Sequence, residues 1–196
     1  RQPFIDDPGH LALLDRERYV VLRPTGPVNE IHARVQTTLK ERLVDLPVSY
    51  PASAHVTLAG FPKDTDLAVV ERMVAVWTSA VPPVELTIER ASYFPEMRFA
   101  FLQVHSTAAL REMLRSLRHA GTAEGLNPSA DIPVDEWVFH MTLAYCRFIP
   151  DADCGDLTAV LESMPVDHGV CTVDQVEVVA YDNEMEHSGR VYALSA

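Results

Sequence analysis

Two five-residue segments of this chain share four letters: His55-Val56-Thr57-Leu58-Ala59 and His140-Met141-Thr142-Leu143-Ala144. Successive side chains on a β-strand point to opposite faces, so a histidine and a threonine two residues apart project together. His55 with Thr57, and His140 with Thr142, therefore form two like pairs of imidazole and hydroxyl. Imidazole, with an ordinary pKa of about 6.5, exchanges protons near neutrality, and a short hydroxyl donates to oxygen atoms that gain negative charge. Two imidazoles on opposite sides of a reacting centre can divide the work of base and acid. Val56 and Met141 are expected to face a core. Ala59 and Ala144 are expected to continue each His/Thr face with a small side chain, leaving room above it. His105-Ser106-Thr107 also fits His-x-Thr, but it runs into a helical pattern without the Leu-Ala continuation. It reads as a strand end and a helix cap.

The elements that must position these pairs follow from periodicity. Residues 19–23 form a short β-rich run stopped by Pro24. From Val28, the apolar residues Ile31, Val35, Leu39 and Leu43 recur at helical spacing until Pro47. Residues 55–61 make a strand closed by Pro62. Asp64 or Thr65 caps a second helix with Leu67, Val70, Met73, Val74 and Trp77 on its buried face, ended by Pro82 and Pro83. Residues 84–93 and 99–104 are predicted to pair as a hairpin turning around Pro95 and Glu96. Ser106 or Thr107 caps a third helix, with Leu110, Met113, Leu114 and Leu117 inward and Gly121 as its terminator. Residues 122–136 are the longest loop and lead into a strand over 138–147. A short helix near 157–164 and strands over 171–181 and 190–194, across a loop at 182–189, complete the order. Strands and helices joined with hairpins rather than strict βαβ crossovers predict an α+β fold with largely antiparallel sheets. Two similar lobes around one cleft would bring the motif strands face to face.

Composition bounds what such a site can serve. The 196 residues suit one domain, with residues 1–18 as an N-terminal extension. A net charge of −12 argues against a protein that grips long duplex nucleic acid by its phosphates, and leaves a small nucleotide or a short RNA end as partner. Cys146, Cys154 and Cys171 have no paired spacing, so neither a disulfide framework nor a zinc site is expected, and a reducing cytoplasm is the simplest home. The residues present show no signal peptide and no apolar stretch long enough to span a bilayer, so no membrane partner is expected. A monomer is the expected state. Zinc held by His55 and His140 would need further ligands that no nearby carboxylate or thiol pattern offers. No cofactor is expected.

The paired His-x-Thr-Leu motifs, with a C-terminal apolar strand, a polar loop containing Gly189 and then Val191-Tyr192-Ala193-Leu194, resemble the two-histidine (2H) phosphoesterase superfamily. Within it, the chain is most similar to the 2′-5′ RNA ligase-like and cyclic phosphodiesterase group. The likeness runs from about residue 19 to the end, and its specific part is the two motifs. The resemblance implies a bilobed α+β fold with pseudo-twofold symmetry, helices outside and the motifs lining a central cleft. It also implies that His55, Thr57, His140 and Thr142 are the catalytic quartet, and that cyclic or 2′-linked phosphodiesters are opened without a metal. Hydrolysis of such a bond needs a base for water and an acid for the departing ribose oxygen, in line across phosphorus, while the threonines hold the non-bridging oxygens. His140 is expected to activate water and His55 to protonate the leaving oxygen, although the pseudo-symmetry makes the assignment reversible. A non-catalytic nucleotide-binding module and an RNA-end ligase using the same cleft are the alternatives.

Several ligase-like members carry a basic residue soon after the motif leucine, where this chain has Gly60 and Tyr145. On a regular strand Tyr145 falls on the face opposite His140, which favours core packing, and it is carried with Tyr50, Phe61 and Arg147 as a candidate to bind substrate. Phe61 shares the His55 face and Tyr50 lies in the preceding loop, so both are candidates to stack on a base, and Arg147 is a candidate for a phosphate. Arg111, Arg115 and Arg118 make a basic stripe on the third helix, read as a solvated face.

Overall fold

The computed structural model describes residues 17–95, 97–128, 132–182 and 185–195. The N-terminal extension up to residue 16 lies outside them, and Arg18 already belongs to the first strand. The described elements run β1 (Arg18–Leu22), α1 (Gly26–Arg42), β2 (Val56–Phe61), α2 (Leu67–Thr78), β3 (Val84–Phe94), β4 (Phe99–Val104), α3 (Ala108–Ala123), β5 (His140–Tyr145), α4 (Asp151–Ser163), β6 (Val170–Val173), β7 (Gln175–Asp182) and β8 (Met185–Ala193). The strands form two antiparallel sheets, ordered β2-β1-β7-β8 and β5-β4-β3-β6. This is the expected α+β architecture of two related sheets. Each motif strand takes an edge of its sheet.

The connections tie the halves together. Helix α1 leaves β1 of the first sheet but packs against β3, β5 and β6 of the second, and α3 leaves β4 of the second but packs against β2 of the first. The apolar stripe of α1 puts Val28, Ile31, Val35 and Leu39 into one core with Met141 and Leu143. A polar step from the same helix closes the exposed edge of β5: His32 Nε2–H donates to the Thr142 carbonyl at 2.8 Å and Gln36 donates to the Leu143 carbonyl at 3.1 Å. Ser49 completes that edge with a two-way backbone bridge to Tyr145. An edge strand with satisfied carbonyls holds its register, and it also offers no template for another chain.

Several expectations are corrected. The cap of α2 is Asp66, which accepts from Ala68 N–H at 2.9 Å, not Asp64 or Thr65. Thr107 caps α3 as expected. Gly121 does not end that helix: a Cβ there would meet Pro128 at 3.2 Å, so the residue is glycine for close packing, and the chain turns instead at Gly125 with φ +72°. The run 171–181 is not one strand. It breaks at Asp174, whose carbonyl accepts from Leu194 N–H, and passes from β6 in one sheet to β7 in the other. The loop placed at 182–189 is mostly the first half of β8; residues 183 and 184 lie outside the described residues. α4 starts at Asp151, ahead of the expected 157, behind Pro150. Among the described residues, no helix is long and apolar enough to cross a membrane.

Candidate active site

Register decides which side chains reach the cleft. In β2, Val56 and Ala59 pair with Leu22 and Val20, while Thr57 pairs with Val21 and Gly60 with Tyr19. Leu58 is skipped in the register: two residues of β2 oppose one step of β1, which is a β-bulge. The same happens in β5. Thr142 pairs with Phe101 and Ala144 with Ala100, skipping Leu143, and Tyr145 pairs with Phe99. The fourth letter of both motifs is therefore the bulged residue.

A bulge resets the alternation. Ala59 and Ala144 turn to the helix-covered face, where both are fully buried, and do not continue the His/Thr face as expected. Gly60 and Tyr145 take that place. Tyr145 thus stands on the same face as His140 and Thr142, against the expectation from a regular strand. Phe61 turns the other way. It is 2% exposed and packs towards Gly121 of α3, so the structure does not bring it to the His55 face. Tyr50 is half-buried next to Ser49 at the outer edge of β5, with Lys40 Nζ 4.9 Å from its ring centroid. Arg147 is exposed beyond the end of β5, in a turn that Arg98 holds by donating to the Arg147 and Ile149 carbonyls.

His55 directly precedes β2 and His140 opens β5, and the two edge strands lie against one another. The histidines are near enough for a charge on His140 to lower the proton affinity of His55. His140 Nδ1 sits 2.8 Å from the Val138 carbonyl. A carbonyl only accepts, so Nδ1 carries the proton and, in the neutral ring, Nε2 holds the lone pair. Burial pushes the His140 pKa below its ordinary value, against the raising effect of that bond. Burial first, then Arg23, His140 and His32, push His55 down to about 3. Both shifts favour the neutral imidazole near pH 7.

The two halves differ in what surrounds each imidazole, and the motifs gave no sign of this. Phe94, Phe99 and Phe101 enclose His140 with ring centroids 5.7, 5.2 and 5.5 Å away. Phe99 and Phe101 face the cleft by pairing with Tyr145 and Thr142, and Phe94 by pairing with Phe99. The sequence marks them only as strand residues; pairing with β5 sets their face. On the other side, Arg23 lies beyond β1 and donates through Nε to Glu177 of β7 at 2.6 Å. Tyr19, held by a hydrogen bond to Glu17, is close enough to Tyr145 to feel its charge. A cavity of about 380 Å³ is lined by Tyr19, Gly60, Phe61, Lys63 and Asn127 among others, so Phe61 borders this cavity without standing on the His55 face.

The arginines of α3 have partners within the protein. Arg118 is buried, donates to the Ile132 carbonyl at 2.7 Å and stacks 5.0 Å from the Trp137 ring, and Arg111 and Arg115 reach Asp135 at 3.9 and 4.0 Å. They clamp the segment that enters β5. The solvated-face reading fails for Arg118 because its partner, Trp137, is distant in sequence. Cys146 and Cys171 are buried, Cys146 Sγ pointing to the Ala144 carbonyl at 3.9 Å, and among the described residues no three His, Cys, Asp or Glu side chains converge as a metal site.

Solved structures share this fold. E. coli LigT complexed with 3′-AMP is similar over 92% of this chain and 98% of its own, with a TM-score of 0.60 at 13% identity. TT0787 of Thermus thermophilus covers 91% of this chain and 97% of its own, with a TM-score of 0.64 at 16% identity. At such identities the likeness speaks for the fold alone. No curated protein sequence matches the chain significantly. The family model of the 2′-5′ RNA ligase superfamily matches residues 30–184, a span that holds both motifs. The chain accordingly belongs to the 2′-5′ RNA ligase superfamily, the 2H phosphoesterases.

Proposed function

We propose that the protein is a metal-independent phosphodiesterase that hydrolyses a cyclic or 2′-linked phosphodiester on a nucleotide or RNA end. The observation that supports this reading is the matched register of the two motif strands, in which Thr57 and Thr142 are each followed by a bulge at the motif leucine, on edge strands that lie against one another. His140 acts as base. Its Nε2 lone pair takes a proton from water, and the Nδ1–H bond to Val138 steadies the imidazolium that forms. His55 acts as acid towards the leaving ribose oxygen. A neutral His55 cannot do so, and the anionic phosphate is the group that restores its proton when substrate enters. Thr57 and Thr142 hold the non-bridging oxygens as charge grows on them.

The aromatic half supports a nucleotide as substrate. Tyr145 and Phe94 flank the His140 side, where a nucleobase gains from stacking on an aromatic ring. Solved structures of LigT are complexed with 3′-AMP, ATP and NADP+, which supports a small nucleotide here as well. The protein works on this reading as a monomer, within one domain, and in the cytoplasm. The test is turnover, with a chelator present, of nucleoside 2′,3′-cyclic phosphates and a 2′,5′-linked dinucleotide. Hydrolysis of either supports the proposal. Nucleotide binding without hydrolysis of any of them contradicts it and makes the cleft a binding module.

A further inference from the structure

We propose that Arg23, paired with Glu177, is the positioning residue of the His55 half, holding the turn that delivers His55 and supplying the fixed charge this imidazole meets. The inference rests on the proposed phosphodiesterase reading and deepens it. Tyr19 and Val21 pair with cleft-facing residues of β2, and Arg23 is the next position of that alternation, level with His55. Its Nη1 lies 3.0 Å from Ser53 Oγ and 3.4 Å from the Ala54 carbonyl, the two residues before His55. Its Nε lies 2.6 Å from Glu177 Oε2. Glu177 is only 7% exposed and pairs with Val21 across the sheet, so the bridge runs from β7, through Arg23, to the turn that ends at His55.

The other half is built differently. The residue paired with His140 is Gln103, which is neutral and bonds to Glu89 and Arg90. Two histidines in like motifs thus meet unlike surroundings, charge on one side and phenyl rings on the other. This asymmetry gives each histidine its own task in a pseudo-symmetric fold. A buried charge that loses its partner acts fully on its neighbours. Among the described residues, the charged and titratable groups that act on His55 include Arg23 just beyond β1, His140 from β5 and His32 from α1, with Glu177 of β7 offsetting Arg23.

That arrangement predicts opposite signs for the two partners. Arg23→Gln removes the cation and leaves the Glu177 carboxylate, so His55 binds its proton more tightly. Glu177→Gln leaves Arg23 uncompensated, so His55 binds its proton less tightly. A bridge with a purely structural role would loosen the turn in both variants and move His55 the same way. The experiment is an NMR titration of the His55 ring in the wild type, Arg23→Gln, Arg23→Lys, Glu177→Gln and the double variant, with His55→Ala for assignment. We expect His55 proton affinity to rise about tenfold or more in Arg23→Gln and in the double variant, which keeps no buried charge at the bridge. We expect Arg23→Lys to stay near the wild type and Glu177→Gln to show no rise. An unchanged titration in Arg23→Gln, or a rise in Glu177→Gln, overturns the inference. Should Arg23→Gln not fold, the double variant and Glu177→Gln still decide it. The titration needs no turnover, so a wild type inactive on cyclic phosphates refutes the phosphodiesterase reading and leaves this result to stand or fall alone.

Discussion

At the scale of single residues, burial disfavours the charged form of both motif histidines, and the proposed mechanism needs the bound phosphate to restore it. The expected acid–base cycle needs one of them protonated. Burial lowers both, His55 to about 3 and His140 below its ordinary value. Raising the pH removes the required proton, so activity falls through the higher of the two free-enzyme pKa values. The profile of kcat/KM, which reports the free enzyme, should therefore lose activity on its alkaline side from below about pH 6.5. The profile of kcat, which reports the complex, should lose it at higher pH, because the bound phosphate anion favours the charged imidazole. Rates measured from about pH 4 to 9 check this, and coincident profiles would show that the phosphate does not charge the site. The tautomer of His140 rests on a contact only two residues away, with Val138. His-x-Thr in the sequence carries no hint of it.

At the scale of elements, the decisive feature is a bulge at each motif leucine. It removes Ala59, Ala144 and Phe61 from the cleft and brings in Gly60 and Tyr145. Tyr145→Ala should raise KM for a nucleotide substrate about tenfold with little change in kcat, the effect of one lost stacking surface. An unchanged KM would place the base elsewhere. A further bulge, where Gly189 and Arg190 of β8 oppose Val178, brings the backbones so close that a Cβ on Gly189 would collide with the Val178 carbonyl. Gly189→Ala should destabilise the fold by about 1–3 kcal/mol in urea unfolding, as overpacking does. These bulges mark the limit of what the sequence shows. The helix stripes of α1, α2 and α3, the Thr107 cap and the two motif strands are legible because they repeat locally. A bulge depends on pairing with β1 or β4, and the role of Arg118 depends on Trp137, so neither leaves a periodic trace. Phe99 and Phe101 were visible as strand residues, but only pairing with β5 shows which face they take.

At the scale of the whole molecule, two related sheets exchange helices, so that α1 steadies β5 and α3 packs on β2. The cleft between the motif strands is thus braced from both halves. The chain around it carries a net charge of −12. An acidic surface gives no counterion release along an extended backbone, so affinity should not grow with RNA length. Competition by a 2′,5′-linked dinucleotide and by a long single-stranded RNA with the same end should give similar inhibition constants at low salt. Tighter binding of the longer RNA, by about tenfold, would point to a basic track that the described residues do not show.

The most direct test of two-histidine catalysis is single-turnover cleavage of a nucleoside 2′,3′-cyclic phosphate by the wild type, His55→Ala and His140→Ala, with folding of each variant checked by circular dichroism. The account predicts that each variant binds the nucleotide but cleaves it roughly 10²–10⁴-fold more slowly, the loss that follows removal of a general acid or base. A folded His55→Ala or His140→Ala protein that cleaves at the wild-type rate would contradict it.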